Sequence, residues 1–360
     1  MNKNHYVVIM AGGIGTRFWP KSRTNYPKQF LDILGTGRTL IQSTFARYSK
    51  IVPTENIFVV TSEYYVNIVK EQLPQMNPEN IVAEPFRKNT APCIAYTAFK
   101  IHEKNPDSIM IAAPADNLIF EDDKFSGVMN KALGFVEHVN ALVTIGIMPT
   151  HPNTGYGYIQ HANTEAAPGI YKVKTFTEKP NLELAKAFIK SGDFLWNSGI
   201  FTWKSKTILD AFEKLLPEIH ELFAAEKEKL NTEREKEIIE DIYAQCPNIS
   251  IDFGVMEKAS NVYIIPANFY WSDLGTWNSA YANMEKDYFE NAVVGSEVMV
   301  YDTHKCMIHV PNKKLVLLQG LEDYIIVDTE DVLMICKKEK EQEIKDYVTE
   351  IKRNKDDKYL

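Results

Sequence analysis

The sequence AGGIGTR, residues 11–17, follows the apolar run YVVIM at residues 6–10 and continues into FWPKSRTNYPKQF at residues 18–30. A β-branched run that stops at glycines is typical of a buried strand ending in a phosphate-binding turn. Glycine lets the backbone approach a polyphosphate closely and direct its N–H groups at it. Residues 11–30 include four basic side chains and no acidic one, although the whole chain has a formal net charge of -8. This local reversal of charge predicts an anionic ligand at the loop.

Two side chains of this stretch are suited to phosphate. Arg17 presents a planar fork of donors and Lys28 a compact point charge. The stretch matches neither common phosphate motif, because a Walker loop ends in Gly-Lys-Ser/Thr and a dinucleotide fingerprint has a third glycine where this chain has Phe18. An ordinary glycine-rich turn with a solvated basic loop is the alternative interpretation. The two cations and the lack of acids favour the phosphate site.

Composition excludes several classes of protein. A chain of 360 residues with 45% apolar and 24% charged residues can bury a large core, and its length predicts two domains. No apolar run approaches the roughly 20 residues of a membrane span or forms a signal-peptide core, which predicts a cytoplasmic protein with no membrane partner. The acidic pI near 5.6, without a broad basic surface, argues against nucleic acid. The four cysteines are far apart and are expected to be reduced, and no histidine spacing indicates zinc.

The order of apolar runs predicts an α/β fold. Up to residue 147, short β-branched runs alternate with helix-length amphipathic stretches, which indicates a Rossmann-like, mostly parallel sheet with ligands at the carboxyl ends of its strands. Longer strands follow within 155–203, and residues 205–245 are predicted to be helical. After about residue 290, short strands recur at roughly ten-residue spacing. We therefore predict a catalytic domain over 1–288 and a smaller, β-rich, short β-helix-like domain over 289–360.

The last helix of the chain is predicted to be amphipathic, with apolar residues at helical spacing at Ile344, Tyr347, Val348 and Ile351. This stripe can pack on its own domain or on a partner, and a homodimer is expected. The C-terminal region lacks a glycine loop or paired carboxylates, so we expect it to serve assembly and support rather than chemistry.

Two aspartates are candidate ligands of a hard cation. Asp116 follows the strand predicted at residues 109–113, and Asp273 lies in the aromatic and glycine-containing segment WSDLG. Mg²⁺ is usually held by one or two carboxylates together with substrate phosphates. Each aspartate taken alone is also compatible with a helix cap or a turn. Together with a polyphosphate loop they favour a metal site.

Three further segments carry polar groups at element ends. Glu178 and Lys179 end a strand, where alternation predicts that they point to opposite faces and do not simply pair; a solvated strand end is the alternative. Asn197 interrupts an apolar run and suits either sugar recognition or a β-bulge. Glu84 and Asn89 precede a predicted helix, where they suit binding of a base or ribose, or simply the start of that helix.

Several segments in this order resemble the sugar nucleotidyltransferases, specifically bacterial mannose-1-phosphate guanylyltransferases, also called GDP-mannose pyrophosphorylases. The resemblance covers nearly the whole chain. The matching segments are AGGIGTRFWPKSRTNYPKQF (11–30), EPFRKNTAPCIA (84–95), PADN (114–117), GYGYI (155–159), FTEKP (176–180), WNSGIF (196–201), SIDFGVMEKA (250–259) and WSDLGTW (271–277).

The resemblance implies a set of binding and catalytic residues. GTP would be held by the loop and its neighbours, namely Ala11, Gly12, Gly13, Gly15, Thr16, Arg17, Lys28, Glu84 and Asn89. Mannose 1-phosphate would be held by Gly157, Glu178, Lys179 and Asn197. Asp116 and Asp273 would bind Mg²⁺, with Mn²⁺ as a substitute, and would share catalysis with Arg17 and Lys28.

The reaction implied is in-line attack of the sugar phosphate on the α-phosphorus of GTP, with release of pyrophosphate. Asn117 departs from the family pattern, which has histidine after the aspartate of Pro-x-Asp, and longer relatives carry a cupin-like isomerase domain, so a monofunctional enzyme is expected. One alternative is a transferase for another hexose 1-phosphate or nucleotide. Another is a silent relative that senses GDP-mannose or acts as a scaffold, but all four catalytic residues are present.

Overall fold

The computed structural model describes residues 1–310, 314–355 and 357–360. Its strands are β1 His5–Met10, β2 Ile57–Ser62, β3 Ile81–Glu84, β4 Ile109–Pro114, β5 Leu118–Ile119, β6 Leu142–Ile147, β7 Gly157–Ala167, β8 Ile170–Glu178, β9 Phe194–Lys204, β10 Val262–Pro266, β11 Trp271–Ser272, β12 Ala292–Val294, β13 Val298–Tyr301, β14 Met307–His309, β15 Val316–Gln319, β16 Tyr324–Asp328 and β17 Leu333–Lys337. Its α-helices are α1 Leu40–Tyr48, α2 Val66–Gln72, α3 Thr90–Lys104, α4 Asp122–His138, α5 Leu182–Ser191, α6 Ser205–Leu215, α7 Pro217–Glu226, α8 Glu235–Gln245, α9 Trp277–Ala282 and α10 Ile344–Asn354.

The chain divides into two compact units that are discontinuous in sequence. The first unit contains residues 1–12, 45–115 and 119–271, and the second contains residues 13–44, 116–118 and 272–360. The glycine-rich loop after Gly12 and the C-terminal strands therefore belong to the same unit. The domain boundary predicted between residues 288 and 289 stays a prediction.

The first unit is built on a nine-stranded sheet in the order β3-β2-β1-β4-β9-β6-β10-β8-β7. The β1 strand pairs in parallel with β2 and β4, and β6 pairs in parallel with β10. Strand β9 runs antiparallel to β4, β6 and β7, and β8 runs antiparallel to β10 and β7. All strands of this sheet except β8 and β9 thus share one direction, which confirms the mostly parallel fold.

The central strands are buried because helices cover the sheet. Every residue of β2 and β6 is buried, as expected for continuous apolar runs in a parallel sheet. The helices α3, α6, α7 and α8 contribute to one apolar cluster with these strands, in which Trp203 and Tyr243 are fully buried. This packing fixes the ends of the strands, where the candidate site residues lie.

The second unit has short parallel strands at its centre. The strands β12, β14 and β16 pair in parallel in that order, and β13 pairs in parallel with β15. The β17 strand adds antiparallel to β16. A separate apolar cluster joins β12, β14, β16 and β17 to α10 and to Phe18, Trp19 and Leu31 of the basic stretch. The N-terminal loop and the C-terminal strands thus bury a common core.

Candidate active site

The glycine-rich loop begins where β1 is anchored to β2. The Ala11 amide donates to the Val60 carbonyl at 2.7 Å, and the Thr61 hydroxyl donates to the Ala11 carbonyl at 2.9 Å. Gly15 has a φ of 69°, a left-handed conformation that favours glycine. A Cβ at this position would lie 2.4 Å from the Lys28 Cβ. Glycine is therefore required here both by the backbone and by the approach of Lys28.

Lys28 contacts two other predicted residues of the second unit, Asp116 and Asp273. Its side chain is only 6% exposed, and its Nζ lies 2.7 Å from the Asp116 Oδ2. The same ammonium donates to the carbonyls of Asp273 and Leu274, each at 3.0 Å. An ammonium has three N–H donors, and these three acceptors use all of them. A phosphate oxygen must displace one of them to bind Lys28 directly.

Asp116 and Asp273 supply a donor set that suits a hard cation. The Asp116 side chain remains 32% exposed, while the Asp273 Oδ1 accepts from the Gly275 amide at 3.1 Å. The turn role anticipated as an alternative for Asp273 is therefore present. The described residues contain no cluster of three or more histidine, cysteine, aspartate or glutamate side chains that could hold a metal ion by themselves. Two carboxylate oxygens completed by phosphate and water fit Mg²⁺, which keeps several such ligands.

Arg17 and Thr16 lie in a single 3₁₀ turn over Thr16–Phe18 that directly follows Gly15. The Arg17 Nε is buried without a hydrogen-bond partner, although part of the side chain is exposed. In the parts of the chain that the structure describes, Arg17 forms no ion pair with an acidic residue. Gly13 is open, since a Cβ there would meet no atom within 4 Å. This part of the loop is available to an anion.

The other predicted nucleotide residues lie in the first unit. Glu84, at the end of β3, is buried, and its Oε1 accepts from the Tyr243 hydroxyl at 2.9 Å. Burial raises the pKa of Glu84 to about 7, against the opposing effects of Tyr243 and Arg87. A Cβ on Gly12 would lie 3.5 Å from the Glu84 Oε2. Asn89 has a φ of 68°, and its side chain accepts a hydrogen bond from the Thr90 amide. It therefore caps the start of α3, which is the structural role given above as the alternative to nucleotide binding.

The predicted sugar-phosphate residues are brought together in the first unit. Gly157 pairs with Glu178 across β7 and β8, and a Cβ on Gly157 would lie 2.4 Å from the Glu178 Oε2 and 3.3 Å from the Asn197 Cβ. The Glu178 side chain is 9% exposed and the Lys179 side chain is 61% exposed. One carboxylate and one amide thus lie against a glycine that leaves room for them.

One expectation for this group is wrong. Alternation along a strand predicts that Glu178 and Lys179 do not pair, yet the Lys179 Nζ lies 2.6 Å from the Glu178 Oε1. The reason is local, because β8 ends at Glu178 and Lys179 has a φ of 47°, in the left-handed region. The extended alternation of side chains therefore stops between these two residues.

Asn197 lies at a bulge of β9. The register between β6 and β9 shifts between Thr144 and Gly146, so the structural interpretation is confirmed. The Asn197 Oδ1 accepts from the Thr144 hydroxyl at 3.0 Å, and its Nδ2 donates to the Asp252 Oδ1 at 2.8 Å. Both ends of the amide are thereby oriented. A residue at a bulge can also contact a ligand, so sugar recognition by Asn197 stays a prediction.

Asp252, which accepts a hydrogen bond from Asn197, is a candidate site residue that the sequence interpretation missed. It begins the π-helical turn Asp252–Met256, a rare element that is frequent at functional sites. Removal from water, followed by the negative charge of Glu178, raises the pKa of Asp252 to about 7. The available signal was an acid between two apolar residues, Ile251 and Phe253, within the segment SIDFGVMEKA.

Asn117, which replaces the histidine expected there, is buried.

No helix within the described residues is long and apolar enough to cross a membrane.

Comparisons with known proteins match both regions of the chain. Residues 6–289 match a family model described as nucleotidyl transferase, and residues 296–351 match one described as a MannoseP isomerase/GMP-like beta-helix domain. Mannose-1-phosphate guanylyltransferases of Klebsiella pneumoniae and of Escherichia coli are each 37% identical over 357 residues, which cover 98% of this chain and 75% of each relative. A crystal structure from Thermus thermophilus, named as a mannose-1-phosphate geranyltransferase, superposes with a TM-score of 0.86 at 28% identity and covers 97% of this chain and 99% of that one.

The chain therefore belongs to the nucleotidyl transferase family and, within it, to the mannose-1-phosphate guanylyltransferases. The α/β fold with a β-helix-like C-terminal region is confirmed. Enzymes of this kind use a nucleoside triphosphate and a sugar phosphate as substrates, and nucleotidyltransferases generally use divalent metal ions.

Proposed function

We propose that the protein transfers GMP from GTP to mannose 1-phosphate and releases GDP-mannose and pyrophosphate. The observation that carries this proposal is the buried Lys28 ammonium, which binds both the Asp116 carboxylate and the Asp273 carbonyl beside Gly15. One cation beside the loop thus contacts the carboxylate of Asp116 and the backbone of Asp273, the two candidate metal-binding residues. Family membership adds the identity of the substrates.

The nucleotide is proposed to bind along the loop and at Glu84. The N–H groups of residues 11–16 and the Arg17 guanidinium suit the phosphates. A carboxylate such as Glu84 is the acceptor that complements the neighbouring N–H donors on the guanine edge, and Asn89 lies at the start of the following helix. Adenine does not present that pair of donors. The proposal therefore includes a preference for GTP over ATP.

The sugar phosphate is proposed to bind at Glu178, Lys179 and Asn197. Glu178 and Asn197 offer oriented oxygen and amide groups to hydroxyls, while the exposed Lys179 ammonium can turn toward a phosphate. Gly157 leaves space beside the carboxylate. The bond from Asn197 to Asp252 positions the amide before the sugar arrives.

Catalysis in this proposal depends on positioning and neutralisation of charge. An oxygen of the sugar phosphate attacks the α-phosphorus of GTP in line, and pyrophosphate leaves. Asp116 and Asp273 would hold Mg²⁺, or Mn²⁺ in its place, which neutralises phosphate charge when bound. Lys28 orients Asp116 and the backbone of Asp273, and Arg17 binds phosphate oxygens. No covalent intermediate with the protein is required.

The test is pyrophosphate release measured across a panel of nucleoside triphosphates and hexose 1-phosphates. The highest kcat/KM is expected for GTP with mannose 1-phosphate. A clear preference for another pair would assign a different transferase of the same class. Absence of turnover with every pair, by a folded protein supplied with Mg²⁺, would favour a silent GDP-mannose-binding relative.

Two variants test the division of the site. Lys179→Ala is expected to raise the KM for mannose 1-phosphate far more than the KM for GTP, whereas Arg17→Ala is expected to impair chiefly GTP binding. Equal effects of Lys179→Ala on both KM values, with unchanged kcat, would contradict the assignment.

A further inference from the structure

The C-terminal helix lies against the turn that carries Arg17. Helix α10 packs on the 3₁₀ turn Thr16–Phe18, within the second unit. Phe18 and Ile344 are both completely buried and belong to one apolar cluster, against which Val348 and Ile351 also pack. The Trp19 Nε1 donates to the Tyr359 carbonyl at 2.7 Å, which ties the end of the chain to the same segment. The start of α10 is therefore fixed beside the phosphate-binding turn.

This packing brings a second cation next to Arg17. Lys345 follows the buried Ile344 and is exposed to solvent. Partial burial and the positive charge of Arg17 lower the pKa of Lys345, while Asp346 opposes the effect. Lys345 has no ion-pair partner among residues 1–310, 314–355 and 357–360, and the buried Arg17 Nε has no hydrogen-bond partner. Two cations thus lie near each other, and neither forms an ion pair with an acid in the part of the chain that the structure describes.

Such a pair is unfavourable unless an anion joins it. The positive charge of Arg17 acts against that of Lys345, and acidic partners are not scarce in this protein, since the chain has 48 acidic and 40 basic residues. A polyphosphate offers several oxygens and enough negative charge to satisfy both cations at once. The arrangement fits a ligand of that class better than it fits a structural role.

We propose that Lys345 is a further phosphate-binding residue, which binds the polyphosphate of the nucleotide together with Arg17. The inference rests on the proposed function and extends it to the C-terminal helix, where the sequence predicted support without chemistry. The flexible four-carbon stem of lysine allows the ammonium to follow the polyphosphate from the helix surface. Nucleotide binding would thereby connect the loop to α10 through charge as well as through apolar packing.

The test compares Lys345→Ala with Lys345→Arg and with Lys352→Ala, which removes an exposed lysine from the last turn of the same helix. Lys345→Ala is expected to raise the KM for GTP about tenfold, which corresponds to one charge-assisted hydrogen bond, and to leave the KM for mannose 1-phosphate unchanged. Lys345→Arg should restore most of the GTP affinity. Lys352→Ala should behave as the unmodified protein does.

A second measurement separates this inference from the proposed function. Inorganic pyrophosphate is titrated into each variant by calorimetry with Mg²⁺ present, and its Kd is expected to rise about tenfold in Lys345→Ala only. This binding needs no turnover, so it tests Lys345 even if the unmodified protein fails to transfer GMP. Unchanged affinity for pyrophosphate in Lys345→Ala would overturn the inference. The inference would also be overturned if Lys345→Ala and Lys345→Arg both lowered the Tm and the arginine variant did not regain GTP affinity, because that result would show a structural role.

Discussion

At the scale of single residues, the charge on Lys28 is balanced within the protein rather than left for the ligand. Its ammonium binds the Asp116 carboxylate and the carbonyls of Asp273 and Leu274. In the proposed site the Asp116 and Asp273 carboxylates would hold Mg²⁺, and the cation would supply the charge that neutralises the phosphates. Lys28 therefore orients Asp116 and the backbone of Asp273, in addition to contributing positive charge.

In the proposed site both aspartates hold the cation, so both are expected to be needed for turnover. Asp116→Asn and Asp273→Asn are each expected to lower kcat by on the order of 10²-fold or more at saturating Mg²⁺, because one carboxylate alone would hold poorly the cation that neutralises the phosphates. Steady-state assays over a range of Mg²⁺ concentrations measure the effect. Asp241→Asn, on an exposed position of α8, is the control and should change nothing. Near-normal turnover of either site variant would remove that aspartate from the site.

Gly157 allows a second test at a single Cβ. Gly157→Ala places a methyl group 2.4 Å from the Glu178 Oε2, so the carboxylate has to move. The KM for mannose 1-phosphate is expected to rise about tenfold while the KM for GTP stays the same. Gly134→Ala, in α4, meets no atom within 4 Å and should keep full activity with an equal or higher Tm. An active Gly157→Ala enzyme with an unchanged KM would show that Glu178 does not bind the sugar phosphate.

At the scale of secondary structure elements, α10 packs on the 3₁₀ turn Thr16–Phe18 by apolar burial. Ile344 is completely buried with Phe18, whereas Lys352 on the same helix is exposed. Ile344→Ala is expected to lower stability by about 2–4 kcal/mol and Lys352→Ala by less than about 0.5 kcal/mol. Thermal unfolding of both variants measures this difference. Equal Tm values would show that α10 is not needed for the core of the second unit.

At the scale of the whole molecule, buried titrating groups act on stability in opposite directions. The pKa of Asp252 is raised to about 7 from 3.8, so the folded protein keeps a proton that the unfolded chain releases. Its contribution to stability is fully present below about pH 4 and is lost as the pH rises through about 7. Glu84, with a pKa raised to about 7, acts in the same direction. Burial lowers the pKa of His309 to about 4, so its contribution is present above pH 6.5 and is lost as the pH falls through about 4.

Asp252→Asn isolates one of these effects. The asparagine oxygen can still accept from Asn197, but it does not titrate. The difference in Tm between the variant and the unmodified protein is therefore expected to increase from pH 5 to pH 8. The unmodified protein loses the contribution of Asp252 to stability over this range, and the variant has no such contribution to lose. The contributions of Glu84 and His309 are common to both proteins and cancel in this comparison. A constant difference in Tm across that range would contradict the raised pKa of Asp252.

The oligomeric state is a separate question at this scale. The homodimer expected from the sequence stays a prediction, and light scattering of the full chain tests it directly.

The sequence by itself determined the features that depend on neighbours along the chain. The alternation of β-branched runs and amphipathic stretches predicted the strands and helices, because burial of a strand or of one helix face leaves a periodic pattern. Gly15 and the basic residues after it predicted the phosphate loop for the same reason, since the turn and its cations are local. The apolar stripe of α10 was also visible, but not the surface that it covers.

Only the tertiary structure decided which distant segments meet. The antiparallel insertion of β9 between β4 and β6, the bond from Asn197 to Asp252 and the burial of Ile344 with Phe18 join residues far apart in the chain. Such contacts are selected by the packing of the whole core and leave no spacing in the sequence. The pairing of Glu178 with Lys179 depended on a left-handed backbone at a non-glycine residue, which local propensity does not favour. The position of Lys345 beside Arg17 likewise follows from the fold alone.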